Sequence, residues 1–452
     1  MPEFFNVLPP DEARVLLLAQ ITAVLPPETV ATEDALGRVT AVTITAPHPL
    51  PPFRRSTMDG YAVRAADTYG ASESLPAFLH VIGEIPMGQP ANISLQTGQA
   101  ALVHTGGMIP DTANAVVQVE HTQMVGYRSS VIGNALAVRG EQPAVSSKQS
   151  TTGSPQLPNY PITQLPTLPF EIEVFKAVAV GQNVLQVGED VTQDAEILPA
   201  GHWLRPQDVG GLLALGIMQV AVARRPCVGI LATGDEIIPP EQAAGPGQIR
   251  DINSYTVAGM VRQAGGIPVL GGIIADDFDA LYTAAANLLA TGDMLVLSAG
   301  SSVSIRDMTV QVIEKLGQPG VLLHGVATRP GKPTIVGAVA GKPVLGLPGN
   351  PVSAMIQFDM FGVPAIYRLQ GVKELPRQGV VWARLSQNIA SESGREDYVP
   401  ARLEDGPEGL VATPVFGKSN LIYTLVNADG LIKVPLNKNG LQAGEWVHVR
   451  IF

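Results

Sequence analysis

The chain has 452 residues, about three ordinary domains at ~150 residues each. Its 29 basic and 40 acidic side chains give a formal charge of −11, which argues against a nucleic-acid binder with a basic face. With 46% of residues apolar and 15% charged, against roughly 25% charged in an average globular protein, there is material for a sizeable core, and wholesale disorder is excluded.

In chain order, the helical spacing of Ala13, Leu16, Leu17, Gln20, Ile21 and Val24 predicts an amphipathic helix over 11–25, ended by Pro26 and Pro27. A second short helix is expected over 32–36. From Val39 to about 180 the text changes to short β-branched runs punctuated by glycine and proline, the pattern of a β-rich domain. Within it, about 140–169 is Ser/Thr/Pro/Gln-rich and nearly uncharged, and reads as an extended insertion of low order. The single cysteine, Cys227, excludes an intrachain disulfide and a cysteine-based structural metal site, and reads as a buried strand residue. The N-terminus lacks the basic region and cleavage pattern of a signal peptide. The longest apolar stretches, such as 212–223, are too short to cross a bilayer. A cytoplasmic protein with no membrane or nucleic-acid partner is expected.

Beyond 225 strands and helices alternate: strands over 227–232, 268–275 and 294–297, helices over 254–263, 278–289 and 309–316. That order predicts a mainly parallel sheet with helices on both faces. Asn350-Pro351 opens a further helix, with Asn as N-cap and Pro at its first position. After about 373 strands dominate (380–385, 410–415, 422–426, 446–451), as in a small β-barrel or sandwich. Four regions result: a discontinuous N-terminal helical and linking region (1–45 and 190–224), an inserted β-rich domain (46–189), an α/β domain (225–372) and a C-terminal β domain (373–452).

In an open parallel sheet, ligands gather beyond the carboxyl ends of the strands. Three polar loops fall there: Thr233-Gly-Asp-Glu236, Asp276-Asp277, and the run from Ser298 to Asp307. Glu236, Asp276 and Asp307 are therefore candidates to converge on Mg²⁺, which takes carboxylates and water and often bridges phosphates. The alternative for each Asp is to cap the helix that follows. Arg329-Pro-Gly-Lys-Pro333 puts two cations around a glycine turn. Gly346-Leu-Pro-Gly-Asn-Pro-Val-Ser353 leads into a helix N-terminus whose N–H groups, with the Ser353 hydroxyl, suit an oxyanion. Carboxylates beside oxyanion donors describe a phosphoryl- or nucleotidyl-handling site. The inserted domain adds Arg54, Arg55, Ser56 and Asp59 on one turn and Gly188-Glu189-Asp190 on another. The seven histidines show no metal-ligand spacing.

These loops, in this order, resemble the molybdopterin molybdenumtransferase family, to which the E domain of gephyrin is related. The matching stretches are PPFRRSTMDGYAV (51–63), GMIPDTANAVVQVEHT (107–122), VGEDV (187–191), RRPCVGILATGDEI (224–237), GQIRDINSY (247–255), SAGSSVSIRDMT (298–309), RPGKP (329–333), GLPGNPVS (346–353) and GKSNLIYTLVNADGLI (417–432). The resemblance implies a multidomain α/β plus β fold: a central, mainly parallel sheet domain of the molybdopterin-binding type, a β-rich inserted domain and a C-terminal barrel-like β domain. It implies Mg²⁺-dependent insertion of molybdate, or tungstate, into adenylylated molybdopterin, with release of AMP and the molybdenum cofactor. It also implies a homodimer whose site lies between one subunit's sheet domain and the other's β domains. Asp59, Asp190 and Glu236 fall where the family has functional acids, with Asp276 and Asp307 as the metal pair. Ser302, Arg329, Lys332, Ser353, Arg395 and Ser419 fall where it handles oxyanions and molybdate.

The chain departs from the family pattern in places. The third loop, usually SGGVSxG, reads Ser298-Ala-Gly-Ser-Ser-Val-Ser-Ile305, with side chains where backbone approach to a ligand favours glycine. The first lysine of KPGKP is Arg329, which keeps the charge but changes the donor geometry. Leu185-Gln186-Val187 replaces the basic residues before GED, and Asn114 replaces an acid. The altered third loop motivates a second reading, a non-catalytic homologue that binds pterin nucleotide as a carrier or partner module. A third reading is a nucleotide pyrophosphatase sharing only the TGDE sheet domain.

Overall fold

The computed structural model describes residues 7–125, 168–299, 303–376 and 379–452. The segment predicted to have low order at about 140–169 lies outside them, apart from its last two residues. The described chain forms two compact units: Thr45–Ile197, and Met1–Ile44 together with Leu198–Phe452.

The Thr45–Ile197 unit is built on a six-stranded sheet of β1 (Gly60–Val63), β2 (Ala77–Ile85), β3 (Gln99–Val103), β4 (Ala115–Gln118), β5 (Thr122–Met124) and β6 (Phe170–Val174), in the order β4-β1-β3-β2-β6-β5. Alternation along the strands fills two cores. Tyr61, Val63, Leu79, Val81 and Val117 point to one face; Ala62, Ile85, Val103 and Val116 point to the other. Gly60 is dictated by this packing, because a Cβ there would stand 2.0 Å from the Val117 carbonyl oxygen of the neighbouring strand.

In the other unit, helix α1 (Pro10–Ala19) ends several residues before the predicted limit of 25. The backbone leaves the helix there and Leu25 donates its N–H to the Leu369 carbonyl at 2.9 Å, so a distant partner replaces the helical bond. The expected helix over 32–36 is a single 3₁₀ turn, Thr32–Asp34. Helix α2 (Pro206–Ala214) precedes a second six-stranded sheet made of β7 (Cys227–Thr233), β8 (Ile267–Ile274), β9 (Met294–Ala299), β10 (Pro319–His324), β11 (Ile335–Val339) and β12 (Lys342–Pro348). Its order is β8-β7-β9-β12-β11-β10. The four strands β8, β7, β9 and β12 run parallel, and β11 and β10 add an antiparallel edge. The mainly parallel sheet is therefore present. Cys227 opens β7 partly exposed, not buried.

Period-two alternation divides this sheet between two layers of helices. Val228, Ile230, Met294, Val296, Leu345 and Leu347 pack with α1 and with Val257 and Val261 of α3 (Asn253–Gln263). Leu231, Leu295, Leu297 and Val344 pack on the opposite face with α4 (Phe278–Thr291) and α5 (Val303–Leu316). Helix α5 starts six residues before the predicted 309, so much of the expected third loop is helical. Helix α6 (Pro351–Gln357) continues through a π turn, Phe358–Gly362, into α7 (Val363–Leu369).

The C-terminal strands are β13 (Val380–Leu385), β14 (Glu396–Gly406), β15 (Gly409–Pro414), β16 (Gly430–Val434) and β17 (Trp446–Ile451). They pair in the cycle β14-β15-β13-β17-β16 and back to β14, a closed five-stranded barrel. The strand predicted over 422–426 is instead a short helix, Tyr423–Val426. Its β-branched and aromatic composition suits a strand, but strand preference is realised only against a paired neighbour. No helix among the described residues is long and apolar enough to cross a membrane.

The start of α2 carries a charged cap. Asp208 accepts the Arg205 backbone N–H at 2.8 Å and the Arg205 side chain at 2.9 Å, and His202 Nε2 lies 2.8 Å from it. Burial opposes ionisation of this carboxyl, but the bonds from Arg205 and His202 outweigh it and hold it below the usual carboxylate range. Its contribution to stability is therefore full above about pH 4 and fades as the pH falls further. Asp208→Asn is expected to cost about 1–3 kcal/mol at pH 7. In urea titrations followed by tryptophan fluorescence, the difference from wild type should narrow at pH 3.

Candidate functional site

Between the α/β layers and the barrel, within the same unit, lies a cavity of about 700 Å³. Five of the six residues predicted to handle oxyanions line it together: Arg329, Lys332, Ser353, Arg395 and Ser419. The sixth, Ser302, lies outside the described residues. Lys418 also lines the cavity, and Asp397 is the one carboxylate among the lining residues. Four cations against one acid make a strongly anion-attracting pocket in a chain with few charges. Its volume falls in the range of small-molecule sites and leaves room for more than a single tetrahedral oxyanion.

Two elements from different parts of the chain form this cavity. The two-residue strand Thr328–Arg329 pairs in parallel with Glu396–Asp397 at the start of β14. This places the Arg329-Pro-Gly-Lys turn beside the barrel. The turn is held from below by Gln357, whose Nε2 donates to the Pro330 carbonyl at 3.0 Å, and Lys332 stands exposed on it. Gly331 has φ +106°, and a Cβ there would lie 2.4 Å from the Gln357 side chain. Only glycine satisfies both conditions.

Asp397 is buried and serves both arginines: Oδ1 accepts Arg395 Nε–H at 3.0 Å, and Oδ2 lies 3.4 Å from Arg329 Nη1. Next to it Glu396 pairs with Lys433 Nζ at 2.7 Å and accepts the Tyr398 hydroxyl at 2.6 Å. Burial, reinforced by Glu396, pushes the Tyr398 phenol far above its ordinary pKa, so it stays a donor at every working pH. Asn350 does not cap α6 through its side chain; its Nδ2 donates to Ser419 Oγ at 2.9 Å. A hydroxyl that accepts there keeps its own proton for another partner. The N–H of Val352 is taken by the Ser419 carbonyl at 3.1 Å, and that of Ala354 by Asn350 at 2.9 Å. The start of α6 is therefore not the bare set of donors expected from the sequence. Cationic side chains and hydroxyls line the cavity beside it.

The acidic candidates lie elsewhere. Asp276 follows β8 and accepts the Thr233 hydroxyl at 2.9 Å. Asp277 caps α4 by accepting the Ala280 N–H at 2.8 Å. Glu236 is partly exposed in the loop after β7. Asp307 is exposed in the second turn of α5 and not in a loop. Among the described residues no group of three or more His, Cys, Asp or Glu is placed to hold a metal, so Glu236, Asp276 and Asp307 do not form one three-carboxylate centre. In the Thr45–Ile197 unit, Asp59 is exposed and accepts the N–H and hydroxyl of Thr105 at 2.7 and 3.1 Å. Asp190 is exposed, with its N–H bonded to the Leu50 carbonyl at 3.0 Å. The two turns that carry them are linked, since Arg55–Ser56 pairs antiparallel with Val184–Leu185. Arg54 is structural: its guanidinium donates to the carbonyls of Ala113 and Pro110 at 2.8 and 2.9 Å.

The sequence matches the MoeA N-terminal region (domain I and II) over residues 8–216, a probable molybdopterin binding domain over 229–368 and the MoeA C-terminal region (domain IV) over 382–452. The chain belongs to the MoeA family. Among MoeA relatives, a Methanocaldococcus jannaschii protein named for molybdopterin biosynthesis is 31% identical, over 98% of each chain. The molybdopterin molybdenumtransferase of Bacillus subtilis is also 31% identical, over 93% of this chain and 89% of its own. A solved molybdopterin biosynthesis MoeA protein from Pyrococcus horikoshii superimposes with a TM-score of 0.78 at 30% identity, over 99% of this chain and all of its own. These matches run through the inserted and C-terminal regions as well as the sheet domain, against the third reading, in which the sheet domain alone is shared.

Sequence reasoning missed Asp397, Lys418 and Gln357, and placed Asn350 as a helix cap without its bond to Ser419. The alternating Arg395-Glu-Asp-Tyr398 reads as a solvated strand end until Thr328–Arg329 is seen to pair with it. Gly331→Ala is expected to destabilise the Arg329–Lys332 turn by about 1–3 kcal/mol, lowering the melting temperature and, in the same preparation, weakening binding of tetrahedral oxyanions measured by calorimetry.

Proposed function

We propose that the chain is a molybdopterin molybdenumtransferase that inserts molybdate, or tungstate, into adenylylated molybdopterin in the cytoplasm and releases AMP with the molybdenum cofactor. The observation that carries this reading is the convergence of Arg329, Lys332, Ser353, Arg395 and Ser419 on one cavity, joined to the names of full-length relatives. Charge-assisted bonds from Arg329 and Arg395 would hold a tetrahedral dianion, with Lys332 and Lys418 as further point charges. The Ser353 and Ser419 hydroxyls would orient its oxygens. Asp59, Asp190 and Glu236 are assigned as the functional acids on the resemblance.

Asp276 and Asp307 fit the habit of Mg²⁺, which binds through one or two carboxylates plus substrate phosphates and not through an all-protein cage. Asp276 keeps one oxygen outside its bond to Thr233, and Asp307 is exposed. When bound, the ion would neutralise charge on the phosphoanhydride as AMP leaves. The protein's own part is to hold the oxyanion and to exclude competing geometries.

A homodimer belongs to the same reading. Strand β8 ends its sheet and exposes Ile267, Val269 and Leu270, an apolar edge of the kind that proteins usually cover. Sedimentation velocity should give twice the chain mass. A monomer at micromolar concentration would count against the dimer alone.

Purified protein given adenylylated molybdopterin, molybdate and Mg²⁺ is expected to release AMP together with finished cofactor. Chelation of Mg²⁺ should suppress turnover, and Lys332→Ala or Ser419→Ala should lower it roughly 10²-fold, the usual cost of a lost electrostatic donor. Product no higher than in a protein-free control would sink the proposal.

A further inference from the structure

We infer that Asp397 is the positioning residue of the cavity, a buried clamp that holds the guanidinium groups of Arg329 and Arg395 ready for the anion. This rests on the oxyanion reading of the cavity. The two arginines come from separate segments, and Arg329 is 62% exposed, a long side chain with many rotamers to lose on binding. The Asp397 side chain is only 3% exposed and contacts both. Arg395 also pairs with Glu392 at 2.9 Å, but Glu392 is 75% exposed. Distance does not separate these two acids, since Asp397 sits 3.0 Å from the same guanidinium. Burial does: an exposed pair is weak, whereas breaking a buried one is strongly felt.

A carboxylate inside an anion pocket also repels the ligand, so removing it has two opposed effects. Loss of order weakens binding and loss of negative charge strengthens it. Order dominates here, because among the described residues Asp397 is the one carboxylate paired with Arg329. The unused donors of each fork remain for the ligand.

The test uses the full chain. In ligand-free protein, the arginine Nε–H spectra should show an ordered, slowly exchanging Arg395 signal that Asp397→Asn abolishes and Glu392→Gln preserves. Molybdate affinity by calorimetry should fall about tenfold or more in Asp397→Asn and stay within about twofold in Glu392→Gln. In an Arg329→Ala/Arg395→Ala background, Asp397→Asn should add little, the non-additivity expected of residues acting as one unit. Asp397→Glu, which keeps the charge but moves it by one methylene, is the second variant should the Asn form not fold, and its binding should also weaken. An Arg395 signal unchanged by Asp397→Asn, equal or tighter molybdate binding, or effects that simply multiply would overturn the inference. Arginine order released by Asp397→Asn in a chain that binds neither molybdate nor tungstate would support the clamp and overturn the proposed function.

Discussion

The candidate site depends on a pairing only two residues long. Thr328–Arg329 lies alongside Glu396–Asp397, and by that contact a loop of the α/β sheet meets the first residues of a barrel strand. Asp397 is carried inward by the same register and becomes the common acceptor for two arginines that are 66 residues apart (329 and 395). Neither fold alone makes the cavity. The sheet contributes the Arg-Pro-Gly-Lys turn and the start of α6, and the barrel contributes Arg395, Asp397, Lys418 and Ser419.

Low charge content gives this concentration its meaning. A chain with 15% charged residues that lines one cavity with four cations has arranged a local field opposite in sign to its net −11. Long-range attraction of an anion is opposed by the whole-molecule charge, which salt screens beyond about 8–10 Å. Within the cavity the local cations decide. Neutral side chains add to the support given by Asp397: Gln357 under the turn, Asn350 on Ser419, and Tyr398 on Glu396. Preorganisation of this kind lowers the ordering cost of binding.

Much of this was legible in the sequence where local chemistry is self-sufficient. Strand–helix alternation after 225 gave the parallel sheet because apolar periodicity records which face is buried. The site loops stood out because glycine, proline, cations and hydroxyls were crowded into short stretches. What remained hidden depends on partners far along the chain. Asp397 looks like surface charge until another strand covers it. The helix start at Asn350 has the sequence of an open anion site, yet one of its donors, the Val352 N–H, is taken by the Ser419 carbonyl. Residues 422–426 have strand composition but no neighbouring strand, and they coil. Among the described residues Glu236, Asp276 and Asp307 do not gather as one three-carboxylate centre, while Asp277 takes the capping role open to it and Asp307 rides on a helix.

If the cavity takes a tetrahedral oxyanion, tungstate makes that anion visible to X-rays. Crystals of the protein soaked in tungstate, with diffraction collected at the tungsten edge, should show an anomalous peak inside the cavity within hydrogen-bonding reach of Ser353, Arg395 and Ser419. A tungsten site elsewhere on the chain, or a cavity without one at a tungstate concentration that saturates the protein in solution, would contradict the account.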